Sequence, residues 1–396
     1  MMTEMNLGYA IAGSDGGHSL TASGNATYAS FLANIGELDA WNHNSIAMTT
    51  PPTQTLTTRY YKKSPAYTYY YGCSTGGAQG YAVAELYPHL FDGIYAGSPG
   101  NWYSHLILSF LYNALKTQGT GYMSQDALNL ITEKVLDACD LLDGVADGII
   151  ENPLNCHFDI TSLQCSHNQA AVTTNGTTVC LTADQVKAAQ DIYAGPKNTL
   201  TGEAIYPGFN LGGELGWMDQ ETLLYEEYSK LILQEVVFKN LNYNISTFNF
   251  GSDVFKVDSI ASPRIDAIAP NLTAFAARGG KLITTQGWAD PYNAPEWPLQ
   301  FMEKIKAATS ASDFIQVYMV PAGGHCGPNT GYLQVPGTYD VLDSLVPWVE
   351  KGITPHQMLS TGSLDGLNTT RKLCPWPATA HYESGAVNDW TSYKCS

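Results

Sequence analysis

The sequence predicts an α/β fold with a large inserted lid domain, and three observations lead to this prediction. Residues 72–76 read G-C-S-T-G, a G-x-S-x-G motif that lies between a β-prone aromatic run and a segment of small apolar residues. Strand, tight serine turn and helix is the setting in which this motif lifts a nucleophilic serine above a sheet. Further short apolar runs end in turns. They lie on both sides of a central block of different texture, as expected for one core interrupted by an insertion.

Five short runs are predicted to be strands, because each is apolar or β-prone and ends in turn residues. In chain order they are Tyr9–Gly13, Ala66–Tyr71, Ile94–Ala96, Lys281–Thr285 and Phe314–Val320.

Five segments are predicted to be helices from their caps and apolar spacing. Ser124 is placed to cap one of them, and Thr182 and Gln185 form a capping box for another, which Gly195 is expected to end. Two glycines at the start of the helix after the serine motif would let it approach the preceding strand closely. The predicted helices are 75–87, 124–138, 182–194, 219–237 and 341–350.

Texture along the chain predicts the domain organisation. Residues 137–270 hold four cysteines, several turn clusters and two of the predicted helices, and they are interpreted as the lid domain. Residues 1–136 and 271–396 are the predicted first and second parts of the core.

Composition excludes several classes of protein. Of 396 residues, 44% are hydrophobic and only 14% are charged, which is typical of a folded chain. The net charge of −17 would repel phosphate backbones, so no nucleic-acid partner is expected. No apolar run approaches the roughly 18 residues of a membrane helix, so no membrane partner is expected either. The sequence does not indicate an oligomeric state or a nucleotide cofactor.

Cysteines and sequons favour an extracellular glycoprotein. The eight cysteines form an even set without a C-x-x-C pair, which favours disulfides over a metal or redox motif. Five N-x-S/T sequons point the same way. They lie at Asn25, Asn175, Asn244, Asn271 and Asn368. Residues 1–10 lack the long apolar core of a signal peptide, so we expect a mature or N-terminally truncated form of a secreted protein.

Ser74, Asp290 and His325 follow three predicted strands in the order nucleophile, acid, base. This is the order found in α/β-hydrolases, so the core is predicted to be an α/β-hydrolase core. Cys73 precedes the serine and Cys326 follows the histidine. If Ser74 and His325 lie within hydrogen-bond reach, the two cysteines also come close, and a disulfide would tie the nucleophile to its base. His18 also follows glycines and is an alternative base, but it precedes Ser74 and breaks the order.

An acidic loop at residues 139–149 is a candidate calcium site. Asp140, Asp143 and Asp147 alternate with glycines, and the carbonyl groups of Val145 and Ile149 would add further oxygens. Calcium binds six to eight such oxygens, but the spacing is not that of an EF-hand. A solvated acidic turn is the alternative interpretation.

Together these motifs resemble the fungal tannase and feruloyl esterase family, over about residue 7 to the C-terminus. The family carries a Cys-Ser pair and a His-Cys pair with an aspartate between them in sequence, matched here by Cys73–Ser74, Asp290 and His325–Cys326. Residues 287–291 also look like the family's acid motif. The resemblance implies an α/β-hydrolase core with a large lid, and a serine esterase acting on esters of phenolic acids, feruloyl or galloyl.

The resemblance also implies a calcium ion and a disulfide pattern. Its calcium loop maps onto Asp140, Asp143, Val145, Asp147 and Ile149. Eight cysteines allow 105 pairings, which sequence alone does not resolve. The pairs that the resemblance implies are Cys73–Cys326, Cys139–Cys156, Cys165–Cys180 and Cys374–Cys395.

Two departures from the family pattern lead to further expectations. Family members carry an N-terminal glycine-rich loop that looks like the source of one oxyanion-hole amide. This sequence is expected to begin beyond it, which leaves the backbone N–H of Thr75 as the other donor. The missing loop makes a catalytically inactive remnant one alternative function, and the galloyl branch of the family makes a tannase the other. Pro51 and Pro52 are expected to break or shift the helix that leads toward Tyr60.

Overall fold

The structure is a computed structural model that describes residues 5–17, 29–167, 169–173, 175–311 and 313–396. His18, the alternative base, and the sequon at Asn25 lie outside these residues.

A four-stranded parallel sheet forms the centre of the fold. Its strands are β1 (Tyr69–Cys73), β2 (Gly93–Gly97), β3 (Lys281–Gly287) and β4 (Ile315–Val320), in the spatial order β1-β2-β3-β4. Four of the five predicted strands are thereby confirmed. Because all four strands run in the same direction, their carboxyl ends meet at one edge of the sheet, where doubly wound folds place ligands.

The prediction of a strand at Tyr9–Gly13 is wrong. These residues have no regular secondary structure and pair with no strand among the described residues. The run is short, and Gly8 and Gly16 on either side adopt positive φ. A β-prone run becomes a strand only where a neighbouring strand accepts its backbone hydrogen bonds.

Helices cover both faces of the sheet. Alternate residues of each strand point to opposite sides: Ile94 and Leu282 join one apolar cluster, whereas Tyr95 and Ile283 join another. The helices are α1 (Ala29–Leu32), α2 (Ile35–Asp39), α3 (Ser45–Tyr61), α4 (Thr75–Leu86), α5 (Tyr103–Thr117), α6 (Gln125–Cys139), α7 (Ala183–Ala194), α8 (Trp217–Thr222), α9 (Ser252–Ile260), α10 (Ser262–Ile265), α11 (Thr273–Ala277), α12 (Trp297–Ala308) and α13 (Val341–Lys351). Short 3-10 turns lie at Gly119–Gly121, Asp140–Asp143, Pro153–Asn155, Ile160–Leu163, Glu214–Gly216, Ile245–Thr247 and Trp390–Ser392.

The predicted caps are confirmed. Ser124 Oγ accepts a hydrogen bond from the Ala127 N–H at the start of α6. Thr182 and Gln185 form both bonds of the capping box, and α7 ends at Gly195. The helix predicted over 219–237 is less regular: α8 is followed by π-helical turns at Tyr225–Ser229 and Ile232–Val237.

The expectation that Pro51 and Pro52 break the helix is wrong, because α3 continues through both. A proline inside a helix costs about 3 kcal/mol through its missing N–H and a clash with the carbonyl one turn earlier. Both prolines are exposed, so the carbonyls that lose their partners can bond to water. The Thr50 hydroxyl also donates to the Ile46 carbonyl, 2.7 Å away, just before the prolines.

The central block lies between β2 and β3 in the chain, and none of its described residues adds a strand to the sheet. Its helix α7 shares an apolar cluster with α6, including Leu128, Ile131, Ile192 and Trp217. The boundaries at residues 136/137 and 270/271 remain a prediction.

Residues 338–395 contribute two small antiparallel sheets. One contains β5 (Thr338–Tyr339), β6 (Met358–Thr361) and β7 (Arg371–Leu373), and the other contains β8 (Ala380–Tyr382) and β9 (Tyr393–Cys395).

Four disulfides join Cys73–Cys326, Cys139–Cys156, Cys165–Cys180 and Cys374–Cys395, the same four pairs that the family resemblance implies.

Candidate active site

Ser74 lies on a sharp turn between β1 and α4. Its φ of 63° and ψ of −120° are unusual for a residue with a side chain, and such strain is typical of a nucleophile elbow. Neighbouring glycines make the turn possible. A Cβ on Gly72 would lie 2.6 Å from the Gly76 carbonyl oxygen, and a Cβ on Gly77 would lie 2.2 Å from that of Gly97. Of the two glycines at the start of α4, Gly77 is therefore the one that permits the close approach to the sheet.

Thr75 is the first residue of α4. Its backbone N–H has no carbonyl one turn earlier in the same helix, and it lies at the positive end of the helix dipole. Both properties suit a donor to a developing oxyanion.

Asp290 follows β3 and is almost fully buried, with 1% of its surface exposed. Its Oδ1 accepts hydrogen bonds from the backbone N–H groups of Tyr292 at 2.8 Å and Asn293 at 3.1 Å. Its Oδ2 accepts one from the Gln286 side-chain amide at 2.9 Å. These donors fix the carboxylate in one orientation.

His325 lies in the turn after β4 and reaches this carboxylate. Its Nδ1 is 2.9 Å from Asp290 Oδ2 and 3.1 Å from Oδ1, so the Nδ1–H donates to the acid and Nε2 is left as a proton acceptor. The Tyr292 ring stacks on the imidazole, with centroids 4.6 Å apart. Backbone contact between the two loops requires Gly287, since a Cβ there would lie 2.2 Å from the Gly323 carbonyl oxygen.

The disulfide between Cys73 and Cys326 joins the serine turn to the histidine turn. The Cα atoms of the two cysteines are 5.8 Å apart, although 253 residues separate them in sequence. The structure thus brings Ser74, Asp290 and His325 to one edge of the sheet. The hydrogen bonds of the His325 ring go to Asp290, and none links the ring to the Ser74 hydroxyl.

Ser98, which the sequence analysis did not single out, connects the histidine turn to the loop that holds Asp290. It follows β2 with a positive φ of 37° and is buried. Its Oγ accepts from the Cys326 N–H at 3.3 Å, and its carbonyl oxygen accepts from the Asn293 side-chain amide. Gln286 and Asn293 were missed as well. Their signal was position: each lies within four residues of Asp290.

The acidic loop is folded around the carboxylate of Asp140. Its Oδ1 accepts hydrogen bonds from the backbone N–H groups of Asp147, Gly148 and Ile149, at 3.2, 3.0 and 3.2 Å. The Cys139–Cys156 disulfide closes the loop at its two ends. This is a compact turn and not a loosely solvated one.

Asp143 and Asp147 are less completely satisfied. Asp143 Oδ2 and Asp147 Oδ1 are buried and have no hydrogen-bond partner among the described residues. Burial, together with the negative charge of Asp147, raises the pKa of Asp143 to about 6. The guanidinium of Arg371 lies beside them, with Nη1 2.9 Å from Asp147 Oδ2. The sequence analysis did not identify this arginine.

Calcium could be held here only with the help of backbone oxygens. Within the described ranges, no three His, Cys, Asp or Glu side chains are arranged to hold a metal ion. The carbonyl oxygens of Val145 and Ile149, however, accept no hydrogen bond from any described residue. These two carbonyls and the two unpartnered carboxylate oxygens form an oxygen-only set, which fits the ligand chemistry of calcium.

Comparison with known proteins identifies the family. The family described as tannase and feruloyl esterase matches residues 1–396. This chain belongs to the tannase and feruloyl esterase family. A probable feruloyl esterase B of Aspergillus niger is 32% identical over an alignment of 422 positions, which covers 98% of this chain and 77% of that protein.

Solved structures of the tannase and feruloyl esterase family share the fold. Feruloyl esterase B from Aspergillus oryzae has a TM-score of 0.82 at 25% identity, over 94% of this chain and 78% of that one. Tannin acyl hydrolase from Aspergillus niger has a TM-score of 0.77 at 21% identity, over 92% and 71% of the two chains. The chain is a carboxylic ester hydrolase with an α/β-hydrolase fold, as the sequence predicts. None of the helices described is long and apolar enough to cross a membrane.

Proposed function

We propose that this protein is a feruloyl esterase that cleaves esters of phenolic acids through an acyl-enzyme on Ser74. The proposal rests on the hydrogen bond between His325 and Asp290. The turn that holds His325 is joined to the serine turn by the Cys73–Cys326 disulfide. The relatives at 32% identity are named feruloyl esterases. The tannin acyl hydrolase is a more distant neighbour at 21% identity, so a galloyl substrate is the second candidate.

In the proposed reaction, the Ser74 hydroxyl attacks the ester carbonyl while Nε2 of His325 takes its proton. Asp290 holds the imidazole in this tautomer and stabilises the imidazolium that forms. The Thr75 N–H stabilises the oxyanion. His325 then protonates the leaving alcohol. In the second half, His325 takes a proton from water while the water oxygen attacks the acyl-enzyme carbonyl, and the imidazolium then returns that proton to Ser74 Oγ as the phenolic acid leaves.

Hydrolysis of methyl ferulate and methyl gallate by the wild type and by Ser74→Ala tests this proposal. Release of ferulate that falls at least 10³-fold in Ser74→Ala supports it, because removal of the nucleophile leaves only binding and oxyanion stabilisation. A preference for methyl gallate would favour the tannase alternative. A fluorophosphonate probe provides the control: a folded wild type that neither labels nor turns over either ester would indicate an inactive remnant.

We also propose that the acidic loop binds one structural calcium ion through Asp140, Asp143, Asp147 and the carbonyls of Val145 and Ile149. Two buried carboxylate oxygens without partners support it. The ion would supply positive charge to these oxygens and plays no part in the chemical steps above. Isothermal titration of the chelator-treated protein with Ca²⁺ tests it, with Asp147→Asn as the variant; a wild type that binds no better than this variant contradicts the proposal.

We further propose that the protein is secreted and glycosylated. Four disulfides are typical of an oxidising compartment. The four sequon asparagines in the described residues, Asn175, Asn244, Asn271 and Asn368, are exposed. Expression in a secreting fungal host followed by endoglycosidase digestion would test it; no change in mass on digestion would contradict glycosylation.

A further inference from the structure

Arg371 is a buried cation that joins two distant parts of the chain. It lies on β7 in the C-terminal segment, which comprises residues 371–396, and only 4% of its surface is exposed. Its Nη1 contacts Asp147 Oδ2 at 2.9 Å, and its Nη2 contacts Glu151 Oε2 at 2.9 Å and lies 3.8 Å from Asp143 Oδ2. Two carboxylates of the acidic loop and that of Glu151, two residues beyond it, therefore surround one guanidinium from a strand more than 200 residues later.

Glu151 forms a second link to the same segment. Its Oε1 accepts a hydrogen bond from the Ala380 N–H on β8 at 2.8 Å. A buried carboxylate needs such donors, because burial without them disfavours its charged form. Burial does raise the pKa of Glu151, and Arg371 and the Ala380 N–H oppose that shift.

Apolar contacts strengthen the same junction. Val145 of the acidic loop packs in one small cluster with Cys374, Ala380 and Tyr393, and Cys374 is joined to Cys395 by a disulfide. The Arg371 guanidinium lies over the Tyr393 ring, 5.6 Å from its centroid. The loop and the C-terminal segment therefore share a core of their own.

The charges at this junction do not balance without a further cation. Asp143, Asp147 and Glu151 face a single guanidinium, and two buried oxygens, Asp143 Oδ2 and Asp147 Oδ1, accept no hydrogen bond from a described residue. Arg371 can hold the loop partly folded before a metal binds. A divalent ion at the remaining oxygens would relieve the residual repulsion and so strengthen the same contacts.

We propose that Arg371 clamps the C-terminal segment, residues 371–396, onto the acidic loop and couples cation binding at that loop to the docking of this segment. The coupling rests on the calcium site proposed above, whereas the clamp itself does not. Coupling of this kind is reciprocal: an ion that stabilises the docked segment is bound more tightly when the segment is docked.

Hydrogen exchange of the full chain, in excess Ca²⁺ and in excess chelator, tests the proposal. In the wild type, Ca²⁺ should slow exchange in peptides from residues 140–151 and also from 371–396, the latter about tenfold. In Arg371→Gln, the effect of Ca²⁺ on 371–396 should disappear while 140–151 still responds. Lys372→Gln is the matched control, because it removes the same charge from the adjacent residue, whose side chain lies over Trp390 instead.

Each other outcome has a defined meaning. Equal Ca²⁺ protection of 371–396 in Arg371→Gln and in Lys372→Gln would overturn the coupling. In chelator alone, equal exchange of 371–396 in these two variants would overturn the clamp. If Ca²⁺ produces neither calorimetric heat nor any change in exchange in the wild type, both the calcium site and the coupling are contradicted. The comparison of the two variants in chelator still tests the clamp. If Arg371→Gln does not fold, Arg371→Lys replaces it, since lysine keeps the charge and loses the paired N–H groups.

Discussion

The active site and the acidic loop both bury aspartates, but they stabilise them in different ways. Asp290 receives two backbone N–H groups, one amide and the His325 imidazole, so both of its oxygens have donors. Asp143 and Asp147 each keep one buried oxygen that accepts no hydrogen bond from a described residue, and Arg371 is the cation beside them. The first carboxylate is held by fixed dipoles of its own loop, which suits the role proposed for Asp290 in orienting His325. The second pair depends on a cation from elsewhere.

The largest expected effect is that of Asp290→Asn. In this variant an NH₂ group replaces a carboxylate oxygen, so it meets N–H donors whose hydrogen bonds the wild-type oxygen accepts. The amide also favours the tautomer of His325 that carries its proton on Nε2, which cannot accept a proton from serine. We expect kcat to fall about 10⁴-fold, with little change in KM. Steady-state kinetics on the preferred ester measures this. Asp143→Asn is the matched control; a comparable loss of kcat in it would contradict the separation of the two regions.

Removal of the long-range disulfide should destabilise the fold more than removal of a local one. The chain-entropy estimate is about 5 kcal/mol for a loop of 253 residues and about 3 kcal/mol for one of 21 residues. We therefore expect the double alanine variant of Cys73 and Cys326 to unfold at lower denaturant than that of Cys374 and Cys395. Only the first should also lower kcat, because it frees the histidine turn from the serine turn. Equal kcat in both variants would mean that the disulfide plays no part in positioning.

Glu221 shows a third way to bury a carboxyl group, which is to keep it protonated. Its Oε1 accepts from the Met123 N–H at 3.3 Å, but Oε2 is buried without a partner among the described residues. Burial raises its pKa to about 8. Because the folded state holds the proton more tightly than the unfolded state, Glu221 stabilises the fold fully below about pH 4.5, and this contribution is lost as the pH rises toward 8.

Glu221→Gln should remove this dependence. The amide resembles the neutral acid and can still accept from the Met123 N–H. We expect the variant to gain roughly 1–3 kcal/mol of stability at pH 8 relative to the wild type, and close to nothing at pH 4.5. Urea unfolding at the two pH values measures this. Exposed Glu227→Gln serves as the control; an equal gain there would show that net charge, and not burial, is responsible.

Sequence reasoning singled out the three candidate catalytic residues and missed the groups that contact them. Ser74, Asp290 and His325 were predicted because they follow strands in the chain order nucleophile, acid, base, and the structure brings them to one edge of the sheet. Ser98 acts partly through its main-chain carbonyl, which has no signature in the sequence. Arg371 contacts carboxylates more than 200 residues earlier, and no local pattern could pair them.

The errors in the fold have the same origin. Tyr9–Gly13 has the composition of a strand, but composition does not supply a neighbouring strand. Pro51 and Pro52 carry a real local penalty, which an exposed helix with water at its carbonyls can tolerate. Strands β2, β3 and β4 are buried along almost their whole length, which favours the apolar and β-branched residues from which they were predicted. Strand β1 is only partly buried, and its run of tyrosines predicted it.

The disulfide between Cys73 and Cys326 also changes how the molecule would respond to a protease. Together with the peptide chain between them, these two cysteines close a covalent ring that includes the whole central block. A single cut anywhere inside this ring opens it but leaves one connected molecule, with the serine and histidine turns still joined. A nicked sample would therefore migrate as two fragments only after reduction, and nicking within the central block need not separate nucleophile from base.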